Sequence, residues 1–154
     1  LFKLDPEKNN ILRIVNVNPS LPQDRESVYW VNVKAIPSKS DDSEGKNVLQ
    51  IAVRTRIKLF YRPEGLKGDI KSAPGEMRFT RNGNQIKVDN PSVYNLTFNQ
   101  FFVNGHEIEK SGMVPAKGSL NINLPAGVNV VSQIKYNTIN DFGSSGELLI
   151  RDIR

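Results

Sequence analysis

The sequence has 154 residues, 38% hydrophobic and 24% charged, with a net charge of +5 and a pI near 9.5. That balance describes a globular chain of one domain or two small ones and excludes a disordered one. Cysteine is absent, which removes disulfide scaffolds, zinc–thiolate sites and cysteine nucleophiles, and no apolar run approaches the ~20 residues of a membrane helix.

Residues 1–10 lack the basic, apolar, small-residue succession of a secretory signal, and position 1 is Leu. The chain as given therefore reads as a mature or trimmed form, or a fragment. Residues 10–17 alternate Ile11, Arg13 and Val15 against Leu12, Ile14 and Asn16, which predicts a strand buried on at least one face. Asn18-Pro19 ends it, and a polar loop follows. Residues 27–36 are β-branched and aromatic and stop at Pro37, the pattern of a second strand. Residues 38–46 are charged, contain Gly45 and hold no apolar anchor, so they read as an exposed loop. The strands on either side of that loop are expected to form a hairpin.

Residues 47–63 carry the longest period-2 pattern. Leu49, Ile51, Val53, Thr55 and Ile57 share one parity, and Gln50, Ala52, Arg54, Arg56 and Lys58 the other. Strands average about 5–6 residues, and this pattern runs about twice that. It suits either an edge strand able to pair with another chain or a long core strand. Residues 63–74 are rich in Gly and Pro and read as a domain boundary. Beyond it, strands are predicted at residues 77–80, 85–89, 94–103, 119–124, 133–138 and 147–153, with Asn82-Gly83 and Asn104-Gly105 as hairpin turns. The reading is all-β, short strands with turns between them as in a sandwich, with the boundary dividing the chain into residues 1–63 and 64–154.

Few residues suggest chemistry. His106 stands alone after a turn, with no nucleophile beside it in sequence. Asp41, Asp42 and Glu44 lack calcium-loop spacing, no phosphate-binding Gly pattern occurs, and Asn95-Leu96-Thr97 matches a common glycosylation triplet. The chain reads as a non-enzyme without cofactor or metal. A positive balance permits anionic partners, and Arg54, Arg56, Lys58 and Arg62 form a basic stripe. Only Phe60 shares that stripe's parity to stack a base, which argues against nucleic-acid binding. Glu26, Arg62 and Asp141 flank the boundary in three separate segments, with nothing local to join them.

Residues 21–37, LPQDRESVYWVNVKAIP, resemble the signature of the periplasmic chaperones of chaperone–usher pilus assembly. The following IAVRTRIKLFYRP is similar to that family's long edge strand, and NTINDFG at residues 137–143 to its late second-domain motif. The resemblance implies two immunoglobulin-like domains set at an angle, with the first incomplete because its opening strands, and the arginine they carry, are missing. It implies a function of binding and capping pilus (fimbrial) subunits by donor-strand complementation and delivering them to an outer-membrane usher. The partners implied are those subunits and the usher, with no nucleic acid and no membrane insertion. By the same resemblance, Leu49, Ile51 and Val53 would be the donated aliphatics and Lys58 the anchor for the subunit's C-terminal carboxylate. Glu26, Arg62 and Asp141 would form an interdomain ionic network, and the short 38–46 loop would place the chain in the branch that goes with rod-like pili. The alternatives are an inactive truncated remnant of such a chaperone, or a carbohydrate-binding or adhesin sandwich, which would want exposed aromatics clustered on one face.

Overall fold

The computed structural model describes residues 2–5, 7–37 and 49–153. Two antiparallel strands, β1 (Ser27–Ala35) and β2 (Val53–Tyr61), make a sheet of their own, in register from Ser27↔Tyr61 to Ala35↔Val53. The single helical turn α1 (Ala73–Glu76) follows. Then come β3 (Arg78–Asn82), β4 (Gln85–Asn90), β5 (Leu96–Val103), β6 (His106–Glu107), β7 (Met113–Val114), β8 (Gly118–Asn123), β9 (Gln133–Thr138) and β10 (Leu149–Asp152). These build two facing sheets, one ordered β3-β4-β8 and the other β10-β9-β5-β6 with β7 also on β5.

The core lies between those two sheets. On β4, Ile86, Val88 and Asn90 point inward, as alternation requires of a central strand. Tyr136 of β9 and Phe101 of β5 are fully buried, with Phe98 edge-on to both at ring distances of 5.8 and 4.9 Å. Strand β5 changes parity halfway. Leu96 and Phe98 are buried on one count, Phe101 and Val103 on the other. A β-bulge between Phe98 and Gln100 absorbs the extra residue. There the Asn137 amide accepts from the Gln100 N–H and donates to the Gln100 side chain.

The turn Asn104-Gly105 joins β5 to β6 with φ values of +49° and +84°, the paired left-handed geometry that favours Asn-Gly. The β3–β4 turn sits one residue later than expected. Its central pair is Gly83-Asn84, with Gly83 at φ +60°, because the register pairs Asn82 with Gln85.

Two expected strands differ. Residues 10–17 are not a strand: Ile11 and Val17 are 92% and 88% exposed, and no described strand pairs with them. Alternation states what a partner sheet would find, but without a facing edge the backbone groups are left to water. Among the described residues of the 47–63 pattern, a strand begins only at Val53. Its partner β1 ends at Ala35, and Pro37 just beyond has no N–H to extend the ladder. Leu49 and Ile51 therefore precede the strand rather than belong to it. The 38–46 loop and its acidic residues lie outside the described residues.

Asn90 organises the edge of the sandwich nearest the β1–β2 hairpin. Its buried amide donates to the carbonyls of Tyr94 and Pro115 and accepts from the N–H and hydroxyl of Ser92. Replacement by Ala would leave several of these groups without partners. Asn90→Ala is expected to lower stability by about 2–3 kcal/mol, measured by chemical denaturation followed through Tyr and Phe environments.

Candidate functional site

The cross-strand register places Glu26 and Arg62 just outside the Ser27↔Tyr61 pair, at the end of the hairpin. Arg62 Nε donates to Glu26 Oε1 at 2.6 Å, and its two terminal nitrogens fork onto Asp141 at 2.8 and 2.9 Å. The fork is the bidentate geometry that a planar guanidinium offers and an ammonium does not. Its charged carbon also stands 5.2 Å from the ring centroid of Tyr94, within cation–π range.

Glu26 is only 4% exposed, yet it is well supplied with donors. Its second oxygen accepts from the Asn95 N–H at 2.9 Å, and its own N–H donates to the Val93 carbonyl at 2.9 Å. The Asn95 amide reaches back to the Glu26 backbone carbonyl and accepts from Ala116 N–H. The hydrogen bonds from Arg62 hold the Asp141 carboxyl below the usual carboxylate range, and the Asp141 carboxylate in turn raises the Arg62 value. A further ion pair, Lys117 to Asp24 at 2.7 Å, ties the same lead-in segment to the sandwich.

Lys58 of β2 pairs across the ladder with Trp30 of β1, beside Arg56, whose guanidinium carbon lies 4.0 Å from the indole centroid. Its ammonium donates to Thr97 Oγ1 at 3.0 Å. Partial burial lowers its pKa, since a desolvated ammonium loses stabilisation. Lys58, Phe60, Arg62, Thr97, Asp141 and Phe142 all line one cleft of about 1110 Å³ between the hairpin and the sandwich.

Alternation gives the hairpin two faces. Trp30, Lys34, Arg54, Arg56 and Lys58 share one; Tyr29, Val33, Val53 and Ile57 share the other and are 42–59% exposed. Leu49 and Ile51 run on from Val53, at 84% and 66% exposed, outside the cleft. The structure thus gathers Lys58, Glu26, Arg62 and Asp141 within a few residues' reach, with Leu49, Ile51 and Val53 further along the same chain. At ~3.3 Å per residue, Val53 sits roughly 16 Å from Lys58 along β2.

Sequence reasoning missed Tyr94, Asn95 and Thr97 as partners of these charges. Their contacts span tens of residues, and the one local signal at Asn95, the glycosylation triplet, points elsewhere.

Two family models match the chain. One describes a pili and flagellar-assembly chaperone, PapD N-terminal domain, and matches residues 1–67. The other describes a pili assembly chaperone PapD, C-terminal domain, and matches residues 72–148. The probable fimbrial chaperone LpfB of Escherichia coli O157:H7 is 80% identical over 99% of this chain and 66% of its own length. The chaperone protein LpfB of Salmonella typhimurium is 67% identical over the same shares. The chain thus spans about two thirds of the length of the curated relatives it matches. Among solved structures, that of Salmonella enterica SafA pilin in complex with the SafB chaperone aligns with a TM-score of 0.81 at 27% identity, covering 90% of this chain and 65% of that one. The E. coli chaperone DraB aligns at 0.77 and 28%, with the same coverage.

Removing the guanidinium would leave the buried Glu26 carboxylate facing fewer donors. Arg62→Ala is expected to cost about 3 kcal/mol, read as faster hydrogen exchange in β1 and β2 while β4 and β9 stay protected. A carboxyl depressed in the folded state contributes stability that is complete above its unfolded value of about 4 and fades as pH falls through the folded one. Stability titrated from neutral to acid pH should therefore fall less in Asp141→Asn than in the parent.

Proposed function

Since this chain belongs to the pilus-assembly chaperone family, a non-enzyme class, we propose that it binds and caps pilus subunits in the periplasm by donor-strand complementation and passes them to an outer-membrane usher. The observation that carries the reading is Lys58. It is a partly buried ammonium that donates to a neutral hydroxyl and stands 5.8 Å from the Trp30 ring centroid, with no carboxylate paired to it among the described residues, and it lies in a cleft beside a β2 edge that no described strand covers. An incoming carboxylate would convert that contact into a charge-assisted bond, roughly twice as strong as a neutral one.

In this reading residues 1–63 are the first domain and residues 64–154 the second, joined by Glu26, Arg62 and Asp141 as an interdomain network. Lys58 anchors the subunit's C-terminal carboxylate, and main-chain pairing along β2 adds the strand; pairing of chaperone and pilin is a known case of strand addition. Leu49, Ile51 and Val53 fill the subunit's groove. Burying each is worth roughly 1.5–3 kcal/mol before association costs, and their present exposure leaves that gain unspent.

The test is binding of a synthetic peptide of alternating apolar and polar residues, ending either in a free carboxylate or in an amide. The acid form is expected to bind more tightly by roughly ten- to a hundredfold, and Lys58→Ala to abolish that preference. Leu49→Asp and Ile51→Asp should weaken both forms. Equal binding of acid and amide by the parent, with the Asp variants unaffected, would overturn the reading.

A further inference from the structure

Phe142 is 93% exposed, yet the turn that carries it is among the best-tied segments of the chain. An isolated bridge pairs Ile139 with Ser145, and Asn140 N–H donates to the Ser144 carbonyl at 2.9 Å. The Asn140 side chain accepts from the N–H groups of Phe142 and Ser144 at 3.0 and 3.1 Å, and Gly143, at φ +79°, donates back to the Asn140 carbonyl. Next door, Asp141 is forked by Arg62. Ile139 N–H donates to the Thr97 carbonyl, which fixes the base of the turn to β5. A large aromatic is therefore displayed to water on a backbone already ordered from both sides.

Phe142 stands on the lip of the cleft that also holds Lys58. Phe60 and Ile139, 40% and 44% exposed, line the same cleft. Cation, apolar rim and open β2 edge border one space, and together they match one kind of occupant: the end of an extended polypeptide with a free carboxylate and an apolar side chain shortly before it. We infer that Phe142, with Phe60 and Ile139, is a specificity-determining contact that receives an apolar side chain near the C-terminus of the bound subunit. This rests on the carboxylate-anchoring reading of Lys58 and adds a second wall to it, from the sandwich side. A pre-ordered aromatic serves such a contact well, because little backbone entropy is lost on docking and the ring supplies the area typical of interface anchors.

The test uses the whole chain and a synthetic peptide ending in a free carboxylate, in two versions that carry Phe or Ser at an apolar position near the end. Phe142→Ala is expected to weaken binding of the Phe peptide about tenfold and of the Ser peptide hardly at all, while the acid-over-amide preference set by Lys58 persists. Phe142→Leu should recover part of the loss. The ring has no hydrogen-bonding role and its turn is held by Asn140, so circular dichroism and melting of the variant should match the parent.

Equal binding of both peptides by the parent and Phe142→Ala would overturn the inference and leave the Lys58 reading standing. No preference of the parent for acid over amide would overturn that reading and this inference with it. A parent dimer in sedimentation velocity that Phe142→Ala dissolves would assign the ring to self-association and likewise overturn it.

Discussion

One guanidinium, that of Arg62, joins the β1–β2 hairpin to the sandwich beside the cleft. The β1–β2 hairpin contributes none of the described residues of the hydrophobic core, which draws entirely on positions from Leu66 to Ile153. What holds the hairpin against the sandwich is polar: Arg62 between Glu26 and Asp141, Glu26 on the backbone of Val93 and Asn95, Lys58 on Thr97, and Asp24 on Lys117. Hydrophobic contact is non-directional and tolerates sliding, whereas a bidentate fork and a buried carboxylate with fixed donors accept one arrangement. Such a joint adds less stability than its number of bonds suggests, because each charge must first leave water. Its bonds are directional, and Glu26, Arg62 and Asp141 all line the cleft.

The two halves of the molecule were unequally legible in the sequence. The alternation of residues 85–90 and 133–136 states their burial directly, since a central strand in a closed sandwich has nowhere else to put its apolar parity. Residues 10–17 carry an equally clean pattern and form no strand, because periodicity describes a face and not the presence of a partner. At β5 the change of parity between Phe98 and Phe101 was in plain view as a broken alternation, but only the bulge explains it, and bulges follow from long-range register. Pro37 was readable as a strand stop for β1, and the same proline also shortens β2 from across the ladder.

The candidate site was readable only through likeness. Glu26, Arg62 and Asp141 are separated by 36 and 79 residues, and no local rule joins charges at such distances. The likeness of three separate segments, residues 21–37, 51–63 and 137–143, picked them out, and the fold brings them into hydrogen-bond contact. For Asn95 and Thr97 the glycosylation triplet was the local signal, and it said nothing of Glu26 or Lys58. Each is an ordinary polar residue, Asn95 just before β5 and Thr97 on it, and its importance comes from what happens to face it.

The early end of the β1–β2 ladder has a thermodynamic consequence for residues 49–52. From Val53 onward one side of the backbone is taken by β1, but these four residues precede the ladder and their main chain is free on both sides among the described residues. Fixing a residue's backbone costs roughly 1–2 kcal/mol, so any pairing that includes this stretch draws on an entropic reserve held in the unbound chain. Stiffness here acts as a dial on affinity that touches no contact surface: a more constrained residue would tighten association and a glycine would loosen it, each by changing the ensemble that exists before the partner arrives.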